Sequence, residues 1–113
     1  MRFALALLAS LSLATGASAA DLRFWNLTSG TLTNVQLAPV GTDQFGPNQC
    51  LNDRDKEVDY NERLRLTGVE PGRYDVRVTD KKGRTCMARN VEVSGTGRYA
   101  FSLSEKELTE CQP

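Results

Sequence analysis

The chain has 113 residues, with 14 Lys+Arg balanced against 14 Asp+Glu, no histidine, three cysteines, and 40% apolar residues. One small globular domain is therefore the ceiling, and a polybasic nucleic-acid binder, a membrane channel and a multidomain enzyme all fit these counts poorly. The lack of histidine removes Ser/His/Asp and Cys/His nucleophile systems, and no phosphate-cradling glycine motif or dinucleotide fingerprint is present, so no enzymatic activity is expected.

Met1-Arg2 supplies a short positive start, Phe3 to Leu13 is almost wholly apolar, and Ala17-Ser18-Ala19-Ala20 places small residues where a signal peptidase cuts. Residues 1–20 thus read as a cleaved secretory signal and 21–113 as a single β-domain carrying 13 basic and 14 acidic residues, a formal charge of −1. The apolar run is well short of the roughly 20 residues that span a bilayer, so membrane insertion is not expected. No Cys follows the cleavage region for lipid attachment and no Arg pair precedes the apolar run, so the expected product is exported to the periplasm.

In an oxidising compartment disulfides persist, which makes Cys50, Cys86 and Cys111 an odd set of one bridge plus one remaining thiol. A Cys86–Cys111 bridge would pin the C-terminal segment to a strand and contribute about 3 to 4 kcal/mol through loop closure. Pairing of Cys50 with either of the others is the alternative. Absent histidines and wide cysteine spacing argue against zinc or blue-copper ligation.

Leu22 to Leu27 is a short extended run, Thr28-Ser29-Gly30 turns the chain, and Leu32 to Ala38 follows with Val35 and Leu37 on one face, the pattern of a hairpin. Trp25 lies opposite in parity to Leu22 and Asn26, and in a two-layer protein it is expected in the core. From Pro39 to Arg63 turn formers dominate and no periodicity holds, a loop long enough to need a purpose. Arg63 to Thr67 alternates charge and leucine, and Glu70-Pro71-Gly72 marks a turn. Arg73 to Thr79 alternates again, with Tyr74, Val76 and Val78 inward and Arg73, Asp75 and Arg77 outward. Lys81-Lys82-Gly83 turns into an extended Thr85 to Val93, whose inward parity switches at Arg89-Asn90, as a bulge would cause. Tyr99, Phe101 and Leu103 share the inner face of a last strand, and Ser104 with Glu107 has capping-box spacing for one or two helical turns ending near Cys111. The fold class expected is all-β, a small antiparallel β-sandwich or curled meander of about six strands with a short C-terminal helical turn.

The segments Asn26-Leu27-Thr28-Ser29-Gly30, Leu37-Ala38-Pro39-Val40-Gly41, Phe45-Gly46-Pro47-Asn48, Tyr74 to Val78 and Gly83-Arg84-Thr85-Cys86, continuing through Arg89-Asn90-Val91 to Leu108 and Cys111, cover nearly all of 21–113. In these the chain resembles small exported all-β proteobacterial proteins, some of which look like periplasmic lanthanide-binding chaperones of methylotrophs. Phe45 stands where that group more usually has Trp. The resemblance implies a surface carboxylate site for the ion and a homodimer bridged by the metal.

The residues that fit such chemistry are Asp53, Asp55, Glu57 and Asp59 at alternate positions, with Asp43 and Glu62 nearby. Residues 52–62 carry five acids and two bases, whereas 63–98 carries nine bases and four acids. Hard cations collect six to eight oxygen ligands, so alternating carboxylates suit Ca²⁺, and a trivalent lanthanide gains more from the same cluster. An EF-hand is excluded because Val58 replaces the turn glycine and Leu64 the bidentate glutamate. On a straight strand the four carboxylates would share one face. The leading expectation is a periplasmic carrier of a lanthanide or Ca²⁺. The second is a metal-free adaptor that binds a periplasmic protein partner through an Arg-bearing sheet face, with Arg63, Arg65, Arg73 and Arg77 as a basic stripe, or through Trp25. Nucleic acid is not an expected partner outside the cytoplasm.

Overall fold

The computed structural model describes residues 21–113, so the secretory signal expected over 1–20 lies outside the described residues. Seven short strands form two sheets: β1 Arg23–Leu27, β2 Leu32–Pro39, β3 Arg63–Arg65, β4 Gly72–Asp80, β5 Thr85–Val93, β6 Phe101–Ser104 and β7 Thr109–Gln112. One sheet has the order β3-β1-β6 and the other β2-β4-β5-β7; every pairing is antiparallel except β1 with β6. Alternation explains the strands, since Phe24, Leu64, Phe101 and Leu103 from the first sheet and Val35, Leu37, Val76, Val78, Cys86 and Ala88 from the second are buried in one shared core. Phe24 and Phe101 meet on neighbouring strands with ring centroids 4.8 Å apart. No helix among the described residues is long and apolar enough to cross a membrane.

The expected hairpin between the first two strands does not form. β1 and β2 lie in different sheets, and Thr28-Ser29-Gly30 carries the chain across the sandwich. The crossing is held by Asn26, which is fully buried. Its Nδ2 donates to the carbonyls of Gly30 and Val58 at 3.0 Å each, while its Oδ1 accepts from the Thr28 amide at 2.9 Å and the Thr28 hydroxyl at 2.6 Å. Its backbone donates to Glu62 O at 3.0 Å and accepts from Asn61 N at 2.6 Å, which delivers the chain into β3. Burial also closes Asn26 to glycosylation in the folded protein, although Asn26-Leu27-Thr28 matches the acceptor pattern.

The long segment between β2 and β3 covers the outer edge of β2. Gly46 N donates to Leu37 O, Asn48 bridges Val35 N and Thr33 O, and Val58 and Leu32 exchange two bonds of 2.9 Å each. An open strand edge is an aggregation template, so closing it is the purpose this loop serves. Buried Gln49, in a short 3₁₀ turn over Gln49–Asn52, bonds both backbone groups of Thr67 and ties the loop to the chain beyond β3.

The bulge expected at Arg89-Asn90 is present. Tyr74 pairs with Val91 but Val76 pairs with Ala88, so Asp75 alone faces Arg89 and Asn90. Asp75, outward by parity, is nevertheless buried there, covered by the polar groups around it and not packed into the apolar core. Its carboxylate accepts from Asn90 N at 3.0 Å, Gly41 N at 3.2 Å and the Arg89 guanidinium at 3.3 Å, and these contacts, the Asn90 amide first, hold its pKa below the usual range. Arg89 then forks onto Glu110 of β7 through two bonds of 2.9 Å. The C-terminal helical turns are shorter than expected: only Glu105–Glu107 coils, as 3₁₀, and Thr109–Gln112 is the strand β7 against β5. The Glu107 carboxylate accepts from Ser104 N at 2.7 Å, as the capping-box spacing implied. Cys86 and Cys111 form the disulfide across β5 and β7, and Cys50 is the free, buried cysteine.

Replacement of Asn26 by Ala should destabilise the fold by about 3 kcal/mol, because buried carbonyls and an amide lose their partners together. Chemical denaturation measures this, and a loss below about 1 kcal/mol would show that Asn26 does not hold the crossing. Glu105 is held at about 2 by the Arg84 guanidinium first and then by the Ser29 amide and hydroxyl. A carboxylate depressed on folding stabilises above its unfolded value and loses that contribution as pH falls through the folded one. The thermal midpoint should therefore drop between about pH 4.5 and 2, and Glu105→Gln should shrink the drop. Because the Glu105 side chain is 42% exposed, the contribution is modest, under about 1 kcal/mol.

Candidate functional site

The acidic residues singled out by spacing do not share a strand. Residues 53–62 run through successive turns, broken by the single β-bridge of buried Val58 with Leu32. Asp53 accepts from the Asp55 amide at 2.9 Å, Glu57 pairs with Lys81 at 3.3 Å, Asp59 accepts from the Thr31 hydroxyl at 2.8 Å, and Glu62 accepts from the Asp59 amide at 2.9 Å. Asp43 lies apart in the exposed turn after β2, at a φ of 57°. Asp55 is exposed. Among the described residues no group of three or more His, Cys, Asp or Glu side chains converges as a metal set.

Cys50 offers no reactive thiol. It is fully buried, its Sγ lies 3.5 Å from Leu32 O, and burial first, then the charges of Asp53 and Glu57, push its pKa up to about 12. Nucleophilic cysteines sit in the opposite environment, exposed and electropositive.

A different constellation stands on the outer face of the three-stranded sheet. Phe24 and Leu64 point into the core, so the alternate residues Arg23 and Trp25 of β1 and Arg63 and Arg65 of β3 point out. Trp25 is thus half-buried on the outside, contrary to its expected place in the core. It stacks on Tyr99, with ring centroids 4.5 Å apart and planes at 27°. Its indole nitrogen donates to the Asn61 side chain at 3.0 Å. The Arg63 guanidinium lies over both rings, 4.9 Å from the Trp25 centroid and 5.2 Å from that of Tyr99. It donates to the Tyr99 hydroxyl at 2.9 Å and to Asn61 O at 3.3 Å, so neutral groups hold it in place.

The charges on this face are not balanced locally. Arg23 and Arg65 are direct cross-strand partners, a like-charge arrangement that costs stability. Arg23 has Asp21 at 2.9 Å, whereas among the described residues no ion pair involves Arg63 or Arg65. The basic stripe expected from Arg63, Arg65, Arg73 and Arg77 is divided, because the last two lie on β4 in the other sheet. There Arg73 bonds Asn90 O and Glu92, and Arg77 covers the Phe45 ring at 4.0 Å and bonds Gln36. What replaces the stripe is a cluster of three arginines and Trp25 on the three-stranded sheet with Tyr99, which precedes β6 and lies outward instead of on the inner face expected for it. Its signal in the sequence was the parity of Arg23-Phe24-Trp25 and Arg63-Leu64-Arg65; the pairing that joins Trp25 to Arg63 and Arg23 to Arg65 had none.

Among the described residues, open clefts include one of about 420 Å³ between β5 and β6 and one of about 510 Å³ at the Lys81–Arg84 turn. In the second, Arg84 is committed to Asp80 and Glu105, and Lys81 to Glu57. Comparison of the chain with protein-family models, curated proteins and solved structures gives no match. The reading of the site therefore rests on its own chemistry.

Proposed function

We propose that this chain is an exported, non-catalytic binding module that docks a protein of the bacterial envelope through the outer face of its β3-β1-β6 sheet. The observation that carries this reading is the outward cluster of Arg63 over stacked Trp25 and Tyr99, beside the like-charged pair of Arg23 and Arg65. Trp, Tyr and Arg are the residue types that dominate binding energy at protein interfaces. A like-charge pair retained on a wet face is a cost that an anionic partner would offset. Export is supported by the charged, apolar and small-residue order of residues 1–20 and by the Cys86–Cys111 bridge, a linkage that persists in oxidising compartments.

A hard-cation carrier, with Ca²⁺ or a lanthanide held by the 53–62 segment and two protomers bridged by the ion, is the competing reading. It draws on the local excess of carboxylates and on the exposed position of Asp43 and Asp55. It requires the turns of that segment to rearrange, since its carboxylates are now spread over separate partners.

Residues 21–113, immobilised and offered an envelope extract, should retain one partner that elutes with salt and is indifferent to chelator. Arg63→Glu with Arg65→Glu should abolish retention, while Arg77→Glu on the opposite sheet should leave it intact. Equal retention by both variants would refute the docking face. Calorimetry of the metal-stripped protein with Ca²⁺, La³⁺ and Tb³⁺ decides the rival: saturable binding lost in Asp55→Asn and Asp59→Asn would establish the carrier.

A further inference from the structure

Arg63 and Arg65 are alternate residues of one strand and both leave the same face, so strand geometry spaces their Cα atoms about 6.6 to 6.8 Å apart. Acidic residues at alternate positions of an extended segment share that Cα spacing and leave one side. Arg63 is preorganised to receive one of them. A guanidinium has five N–H donors, and this one is held over two rings with contacts to Tyr99 Oη and Asn61 O, neither of which neutralises it. Planar guanidinium groups favour carboxylates through paired bonds, and the aromatic backing lowers the cost of orienting the fork. The outer edge of β3 is already occupied at Arg65 O by the Asn52 side chain at 2.8 Å, so a ligand lies across the sheet face instead of adding as a further strand.

We propose that the occupant of this face is an extended acidic segment of the partner protein, with carboxylates at alternate positions meeting Arg63 and Arg65. The inference rests on the docking reading and narrows it to a ligand class. The 53–59 segment of the chain itself has acids at alternate positions, but it is folded into turns and not extended.

The test uses Trp25, the single tryptophan of the chain, as its reporter. Two synthetic peptides of identical composition are titrated, one alternating Glu with Ser and one with all its Glu in a block. The alternating peptide should change Trp25 emission saturably and bind about tenfold tighter than the blocked one. Arg63→Lys with Arg65→Lys keeps the charge but loses the fork, and should weaken the alternating peptide about tenfold with little effect on the blocked one. Equal affinity for the two peptides, an absent Trp25 response, or indifference to the lysine variant would overturn the proposal. If the peptides are silent while Arg63→Glu with Arg65→Glu still abolishes partner retention, the docking face stands and the ligand class falls. Light scattering of the chain alone covers the remaining occupant: a dimer lost in the glutamate variant would assign the face to a second copy and overturn the assignment to a partner.

Discussion

The buried amide of Asn26 is the constraint on which the rest of the structure depends. A single uncharged side chain satisfies a turn that crosses from one sheet to the other and a carbonyl, Val58 O, from a segment 32 residues further along. Burying so many backbone groups is tolerable only when each has a partner, and here one residue supplies several of them. The same backbone position accepts from Asn61 and donates to Glu62, which sets the register of β3 against β1. That register places Arg63 across from Trp25 and Arg65 across from Arg23, and it places Asn61 where its side chain accepts from the indole. The outward cluster is thus a consequence of how the inside is tied.

The opposite sheet is closed off by comparison. Its β2 edge is capped by the 46–58 segment, and its β7 edge is fixed to β5 by the Cys86–Cys111 bridge and by the chain of contacts from Asp75 through Arg89 to Glu110. Its arginines have carboxylate, amide or aromatic partners. The acids of the 53–62 loop serve mainly as local acceptors that stop turns and tie the sheet crossing, through Asp59 to Thr31 and Glu57 to Lys81. On the three-stranded sheet Arg63 and Arg65, which have no ion pair among the described residues, coincide with the half-buried Trp25–Tyr99 stack.

Much of the fold was legible because alternation is local. Arg63-Leu64-Arg65, the Val76 and Val78 parity and the Arg89-Asn90 bulge follow from period-two patterning, whereas the Cys86–Cys111 bridge was one of three pairings the sequence left open. Sheet membership was not legible. Thr28-Ser29-Gly30 has the composition of a hairpin turn, yet it becomes a crossing held by Asn26, whose side chain gathers Thr28 and Gly30 locally and is itself tied inside to Val58 O, a long-range bond that no window of sequence displays. Asp75 misled in its exposure: its parity is outward, yet the bulge in the neighbouring strand and the chain after β2 bury its carboxylate among three donors. Spacing of acids along the chain likewise carried no information on their convergence in space, and the aromatic–arginine cluster required β1 and β3, distant in sequence, to pair with Trp25 across from Arg63.

On the proposed reading, the outer face of the β3-β1-β6 sheet, and not the acidic loop, meets the ligand. Amide and indole NMR shifts of labelled 21–113, recorded on addition of the partner retained from envelope extract, test this most directly. The Trp25 indole and the Arg63 and Arg65 amides should move while those of 53–59 stay in place. Perturbation centred on 53–59, or a response there that appears only with Ca²⁺ or La³⁺ and leaves Trp25 untouched, would contradict it.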